Sequence, residues 1–337
     1  MATINDVARA AGVSPSTVSY VLSGRRPISA QTRARVQAAI AELGFHPHAG
    51  ARALASSRTN VLALVVPLRV DVNVPVIMQF ATAVVTAARL HNHDVLLLTK
   101  DEGTAGLERV AHSTMVDALI VMDVERDDVR IPALRTLKQP SVLIGLPEDP
   151  SGIACVDLDF EAAAAETLRH LAWHGHRRIA LVGPSPEVYK RGTTYAERFL
   201  TGFLTTSAEL GLETLAHPCE PGRAGVRACL ADIDAHLPGA TALVVHNEEA
   251  LRTVLEELRA AGRRIPADIT VVAVCPRDVA LSMPLPLTSV DIPTHDVGAL
   301  AVETAMRLLD GRSIEPVRLL PPTIVERESC TNLRSPG

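Results

Sequence analysis

Aromatic side chains are scarce in this chain: nine in 337 residues, or 3%. A cleft walled by many stacked rings is therefore not expected. Cysteines number five (Cys155, Cys219, Cys229, Cys275 and Cys330), are widely spaced and never form a C-x-x-C pair. That pattern excludes a disulfide framework and a structural zinc site built on paired cysteines, and it suits a reducing compartment. Long apolar runs are missing as well. Val61–Leu68 is interrupted by Pro67 and falls far short of the roughly 20 residues that span a bilayer. The first residues, MATINDVARAAG, reach an acid at Asp6 and hold no apolar signal-peptide core. A cytoplasmic protein that does not meet a membrane is expected.

What is present is a large apolar fraction, 47%, against 21% charged residues. That fraction supports a substantial core and excludes a disordered chain. The length suits two or three modules. The net charge of −5 hides an asymmetry. Residues 1–60 hold seven arginines against only Asp6 and Glu42, a net +5, while the remainder carries 26 basic and 36 acidic residues, a net −10. A small basic head on a large acidic body predicts that the head meets a polyanion.

The head reads as three short helices. Thr3-Ile-Asn-Asp6 has the form of a capping box, opening a helix through Ala11 with Val7 and Ala8 inward. Gly12 permits a turn, and Ser14-Pro15 supplies an N-cap and a first-turn proline for a second helix ending near Leu22 or Ser23, with Gly24 as its C-terminal stop. A third helix starts near Ser29, carries Val36, Ile40 and Leu43 at helical spacing, and stops at Gly44. Two helices joined by a glycine turn and braced by a third make a helix-turn-helix. The second helix displays Ser16, Thr17, Ser19 and Tyr20 and buries Val18, Val21 and Leu22; Arg25 and Arg26 follow. Short hydroxyl side chains and arginines are what phosphate and base-edge contacts require. The bland alternative is any small three-helix domain.

From Thr3 to Leu22 the sequence T-I-x-D-V-A-x-x-A-G-V-S-x-x-T-V-S-x-V-L resembles the N-terminal signature of the LacI/GalR family of transcription regulators. The likeness continues through Arg33, Glu42-Leu43-Gly44-Phe45, Pro47 and Ala51-Arg52-x-Leu54. The resemblance implies that Thr3, Ser14, Pro15, Ser16, Thr17, Ser19, Tyr20, Arg25 and Arg26 lie on or beside double-stranded operator DNA. Pro15, Ser16 and Tyr20 would take the major-groove reading positions. It also implies that residues 48–56 form a hinge helix, with Leu54, beside Ala55, wedged into the minor groove. An apolar wedge of that kind unstacks a base step and bends the duplex. Nine residues are too few for an independent helix in water, so a flexible linker is the alternative.

Beyond Asn60 the pattern changes to short continuous apolar runs at 61–66, 95–98, 118–122, 141–144, 179–182, 242–245 and 269–274. Helical stretches such as 78–90, 161–174 and 248–261 lie between them. Strands buried on both faces, alternating with helices, predict parallel sheets. Two lobes with a cleft between them fit this length. Gly175-His176-x-x-Ile179-Ala180-x-x-Gly183, Gly262-x-x-Ile265-Pro266-x-Asp268-Ile269 and Pro286-Leu287-Thr288-Ser289-Val290 resemble the family's core. That implies an α/β, periplasmic-binding-protein-like fold of two doubly wound parallel-sheet lobes behind the all-α head. The expected division is a head over 1–46, a hinge over 47–60 and a core over 61–337. Lobe one would cover about 61–156 and 291–320, and lobe two about 157–290 and 321–333, with crossovers near Val156-Asp157, Val290-Asp291 and Leu320.

No G-x-S-x-G, P-loop or H-E-x-x-H motif appears, the twelve histidines are read as forming no ligand-spaced cluster, and no enzyme, metal or cofactor is expected. His174 and His176 flank a glycine and read as turn residues, and His246-Asn247-Glu248-Glu249 reads as a helix cap between a strand and a helix. The family resemblance implies an effector site at Asn73, Arg198, Asn247 and Cys275, but with departures. Val74-Pro75-Val76-Ile77 stands where sugar-responsive members carry Asn-Pro-Phe-Phe in a loop, and Ala273-Val274-Cys275-Pro276 stands for Gly-Phe-Asp-Asp. Simple hexoses are therefore expected to bind poorly. The expected effector is a less hydroxylated or anionic metabolite held by Arg198 and Asn247, or none at all. The whole reads as a homodimeric, operator-binding repressor under small-molecule control, with a tetramer left open. The rivals are a regulator whose core only dimerises and a transport-type solute-binding protein.

Overall fold

A computed structural model describes residues 2–23, 26–45, 58–69, 72–113 and 115–333. The head forms α1 (Ile4–Ala11), α2 (Pro15–Ser23) and α3 (Ala30–Leu43). The capping box is complete: Thr3 Oγ1 accepts from the Asp6 amide at 3.3 Å, and the Asp6 carboxylate accepts from the Thr3 amide at 2.9 Å. The Thr3 hydroxyl holds the Asp6 carboxyl below its ordinary range. Gly12, at φ 63°, takes the left-handed conformation that the turn requires. Ser14 Oγ accepts from the Thr17 amide, and Ser29 Oγ from the Thr32 amide, each at 3.2 Å. Val7, Ala8, Ala11, Val18, Val36, Ala39 and Phe45 close the core, with Val21 and Leu22 half-buried against it. Gly24, Arg25, Leu54, Ala55 and most of the hinge over 47–60 lie outside the described residues.

The body opens with β1 (Val61–Val65), α4 (Val74–Leu90), β2 (Asp94–Leu98), α5 (Gly103–His112), β3 (Ala118–Val121), α6 (Ile131–Thr136), β4 (Ser141–Ile144) and β5 (Ala154–Leu158). A second run follows: α7 (Phe160–Trp173), β6 (Arg178–Gly183), α8 (Pro186–Lys190), α9 (Thr194–Glu209), β7 (Glu213–Pro218), α10 (Gly222–His236), β8 (Ala242–Val245), α11 (Leu251–Ala260), β9 (Thr270–Cys275), α12 (Arg277–Leu281) and β10 (Thr288–Asp291). The chain then gives α13 (Thr294–Leu309), β11 (Val317–Leu320) and β12 (Ile324–Val325).

One six-stranded sheet runs β11-β5-β4-β3-β1-β2, entirely parallel; the other runs β12-β10-β9-β8-β6-β7, parallel except for β12. Apolar clusters cover both faces of each sheet, the condition that allows parallel strands to be apolar throughout. The chain passes between the sheets three times, around Asp159, around Ile292–Pro293 and around residues 321–323, so α13 returns to pack on α4 while β12 crosses back. Val74-Pro75-Val76-Ile77 is not a loop but the first turn of α4, which Asn73 caps by accepting from the Val76 amide at 3.2 Å. Arg58 donates to the Leu309 carbonyl at 3.1 Å, and the Asp117 carboxylate accepts from the Thr59 and Asn60 amides at 2.7 and 2.8 Å. The strand of chain arriving from the hinge is thereby tied to the first lobe.

Candidate functional site

Two surfaces draw functional side chains together. On the head, Thr3, Ser14, Pro15, Ser16 and Arg26 are exposed, while Thr17, Ser19 and Tyr20 are half-exposed along α2. Val18, between them, is fully buried and fixes which face α2 presents. The Arg26 guanidinium lies over the Tyr20 ring, 5.2 Å from its centroid. That contact holds the two side chains together at the exposed edge of the head.

The second surface is a cavity of about 170 Å³ between the two sheets. Its walls are the carboxyl ends of strands from both lobes: Val66 after β1, Asp123 after β3, Gly145 after β4, Asp157 in β5, Ser185 after β6 and His246 after β8. Open α/β sheets take ligands at these ends. Phe80, Phe160 and Tyr195 also line it, so three of only nine aromatic residues are gathered here. They come from three separate helices, and no local motif announced them. Aliphatic walls from Val72, Val76, Ile77, Val124, Val188 and Ile292 complete an enclosure that is apolar with a few polar groups.

Two of its polar side chains, His246 and Ser185, have buried atoms without partners. His246 is 2% exposed, neither ring nitrogen has a hydrogen-bond partner, and the imidazole lies 4.5, 5.5 and 5.6 Å from the rings of Phe199, Tyr195 and Phe160. Burial drives its pKa down to about 3, so it is neutral. Burial likewise pushes Glu248 up to about 7, with no cation bonded to it. Asp157 rises to about 7 for the same reason, even with Arg198 at 3.0 Å. Ser185 Oγ is buried without a partner.

The four residues that the resemblance assigned to an effector divide evenly. Asn73 and Asn247 line the cavity; Arg198 and Cys275 do not. Asn247 Oδ1 accepts from the Ala250 amide at 3.1 Å, and its amide donates to the Gly183 carbonyl at the same distance. It therefore closes the turn that leads into α11 and is not the helix cap expected from the sequence, since α11 starts at Leu251 with Ala250 at its N-cap. Arg198 is spent on Asp157 and Asp159, at 3.0 and 3.6 Å. Cys275 is wholly buried in the core behind the wall, and burial pushes its thiol up. Among the described residues, the lining holds four carboxylates (Asp123, Asp157, Glu248 and Glu249) and no lysine or arginine. An anion held by Arg198 and Asn247 is thus not what this cavity is built for, because the arginine does not line it and is already paired with Asp157 of the facing lobe and with Asp159. Asp123, Asp157, Phe160, Tyr195, His246 and Glu248 were missed from sequence. For Asp123, Asp157, His246 and Glu248 the available signal was a polar residue at or just beyond the carboxyl end of an apolar strand; for Phe160 and Tyr195, which come from helices, there was none.

The lobes also touch beside the cavity. The Arg126 amide donates to the Gly192 carbonyl at 2.7 Å, the Thr194 amide to the Val124 carbonyl at 3.0 Å, and Arg126 pairs with Glu197 at 3.3 Å. No helix among the described residues is long and apolar enough to cross a membrane.

Comparison with known proteins places these surfaces in context. The model of bacterial regulatory proteins of the lacI family matches residues 3–48, and that of the periplasmic binding protein-like domain matches 168–330. The chain is 27% identical to the HTH-type transcriptional regulator MalR of Staphylococcus xylosus, covering 99% of each chain. It is 29% identical to the regulator CelR of Thermobifida fusca, over 97% of this chain and 98% of that one. Among solved structures, the lac repressor dimer bound to operator and the anti-inducer ONPF superposes with a TM-score of 0.82 at 22% identity, over 98% of this chain and 99% of that one. A CelR–cellobiose complex superposes at 0.68 and 28% identity, over 98% and 100%. With a lacI-type helix-turn-helix in front of two parallel-sheet lobes, and likeness along nearly its whole length, the chain belongs to the LacI family of DNA-binding transcriptional regulators.

Proposed function

We propose that the protein is a cytoplasmic repressor that binds a two-fold symmetric operator as a homodimer, its affinity set by a small molecule held between the lobes. The observation that carries this reading is the cavity walled by strand ends of both lobes. A ligand there touches both and favours one relative orientation over another, which is all that a population shift requires. The contacts between Val124–Arg126 and Gly192–Glu197 hold the orientation seen here, and the anchorage of Arg58 and Asn60 on lobe one carries the change toward the hinge. The working division is a head over 1–46, a hinge over 47–60 and a core over 61–337, with Leu54 and Ala55 of the hinge meeting the minor groove.

The lining argues for a neutral ligand with an apolar body and a few hydroxyl or amide groups. His246, Ser185 and Glu248 supply partners for only a few polar atoms, and each unpaired hydroxyl of a fully hydroxylated sugar would cost about 1–3 kcal/mol in such an enclosure. Anions face carboxylates and are disfavoured. Footprinting the full chain on DNA should show a symmetric site with half-sites about one helical turn apart. Calorimetry should then rank a neutral ring compound with few hydroxyls above hexoses and cellobiose, and all of these above sugar phosphates. A sugar phosphate bound in the micromolar range overturns the ligand reading. A ligand that fills the cavity without altering operator affinity would instead support a core that only dimerises.

A further inference from the structure

A separate cluster lies on the second lobe and shares no residue with the cavity lining. His170 in the last turn of α7 and His174 at its C-cap stand four residues apart, the spacing that puts two side chains on one helix face; their ring centroids are 4.6 Å apart. The C-terminal segment that follows β12 runs beside them. It brings Cys330 Sγ to 3.8 Å from His170 Nε2, and Glu326 Oε1 to 3.6 Å from His170 Nδ1 and 3.3 Å from His174 Nε2. One ligand atom from each of His170, His174 and Cys330 falls within 4.8 Å of the others. His174 is 8% exposed, and its Nδ1 is buried with no hydrogen-bond partner.

We propose that His170, His174 and Cys330 bind a zinc ion, with Glu326 as the fourth ligand. Zinc–nitrogen bonds of about 2.0–2.1 Å and a zinc–sulfur bond of about 2.3 Å in a tetrahedron hold the ligand atoms roughly 3.3–3.7 Å apart. The ligand atoms of His170, His174 and Cys330, which lie within 4.8 Å of one another, need a contraction of up to roughly 1.1–1.5 Å to reach that spacing. Glu326, which touches the His170 ring at Nδ1 where Cys330 touches it at Nε2, has to swing round to join them. The Glu326 side chain is largely exposed and free to turn inward. Thiolate and imidazole select a borderline-soft transition ion and reject magnesium and calcium. The nearby arginines do not compete for the site: Arg169 pairs with Glu166 at 2.9 Å, and Arg327 donates to the Leu287 carbonyl and Ser289 Oγ at 2.7 and 2.6 Å. His176 is not a ligand, since its nitrogens are bonded to Thr241 Oγ1 and the Thr331 carbonyl at 2.9 and 3.2 Å.

A bound ion would join α7 to the segment after the third crossover. That segment is already fastened by Ser329 Oγ to the Val271 carbonyl at 2.6 Å and by the Leu333 amide to the His174 carbonyl at 2.8 Å. The test uses the full chain stripped by a chelator and titrated with cobalt(II) and then zinc. One ion per chain is expected, with tetrahedral cobalt absorption and a thiolate-to-cobalt charge-transfer band that zinc abolishes. Cys330→Ser should remove that band, and His174→Ala should weaken binding by about tenfold or more. His176→Gln should leave both stoichiometry and spectrum intact. If His174→Ala fails to fold, the loss of the band in Cys330→Ser still decides the matter. A band that survives Cys330→Ser, octahedral cobalt spectra, or no stoichiometric binding would overturn the proposal.

Discussion

Glu248 and His246 sit at neighbouring places in one wall, and burial shifts them in ways that oppose each other in the folded protein. Glu248 rises from 4.5 to about 7, so the folded state holds its proton more tightly than the unfolded chain. Its contribution to stability is fully present below about pH 4.5 and is lost as pH rises toward 7. His246 falls from 6.5 to about 3, and its contribution is present above pH 6.5 and lost as pH falls toward 3. Replacing Glu248 with Gln keeps the shape and removes only the first effect. Urea midpoints of Glu248→Gln should therefore fall less between pH 5 and pH 8 than those of the parent chain. An identical decline in both would show that Glu248 is solvated. On the head, Arg26 is ordered on Tyr20 but contributes nothing to the three-helix core. Arg26→Ala should leave the melting temperature unchanged while costing about 1–3 kcal/mol of operator binding if the arginine is bidentate to a base. Equal affinity for operator would remove it from the interface.

At the scale of elements, legibility followed unbroken apolar runs more than burial. The head's helices begin and end where their caps say, because Thr3, Ser14, Ser29, Gly12 and Gly44 act locally. Central strands such as Ala118–Val121 and Ala242–Val245 are buried at every position and read directly as apolar runs. Five strands, β5, β7, β10, β11 and β12, have no counterpart among those runs, and three of them show why. Glu213–Pro218 and Val317–Leu320 are edge strands with mixed exposure, and Ala154–Leu158 is broken by Asp157, a carboxylate that faces the cleft. The same Asp157 explains why the site was half legible: a residue that serves the cleft spoils the pattern that would have revealed its strand. Packing between elements was not readable at all. In α9, a β-carbon on Gly202 would stand 2.4 Å from the Glu161 carbonyl oxygen of α7, a backbone atom that cannot turn aside. Gly202→Ala should force the two helices apart and destabilise the chain by about 1–3 kcal/mol, the usual cost of overpacking. An unchanged urea midpoint would mean that the helix pair slides freely.

Across the whole molecule, charge is divided as the work is divided. Residues 1–60 carry a net +5 and the remainder a net −10, so the body is repelled by the same phosphates that attract the head. Only the head is then left with a favourable approach, and the orientation of the protein on DNA follows from charge before any base is read. Neutralising phosphates releases condensed counterions, and the logarithm of the binding constant falls linearly with the logarithm of salt concentration, with a slope of about −0.9 for each phosphate contacted. A dimer presenting two such heads should show a steep slope on operator and on random DNA alike, with the specific preference surviving as a vertical offset between parallel lines. Arg26→Ala then separates two roles that affinity alone confuses. If Arg26 meets a base, the offset shrinks and the slope holds; if it meets a phosphate, both lines drop together and the slope falls by about 0.9 for each head. The measurement is a filter-binding or band-shift titration from low to moderate salt with operator and scrambled duplexes. A slope near zero on operator would refute the charge-led approach, because no neutral contact surface releases ions on binding.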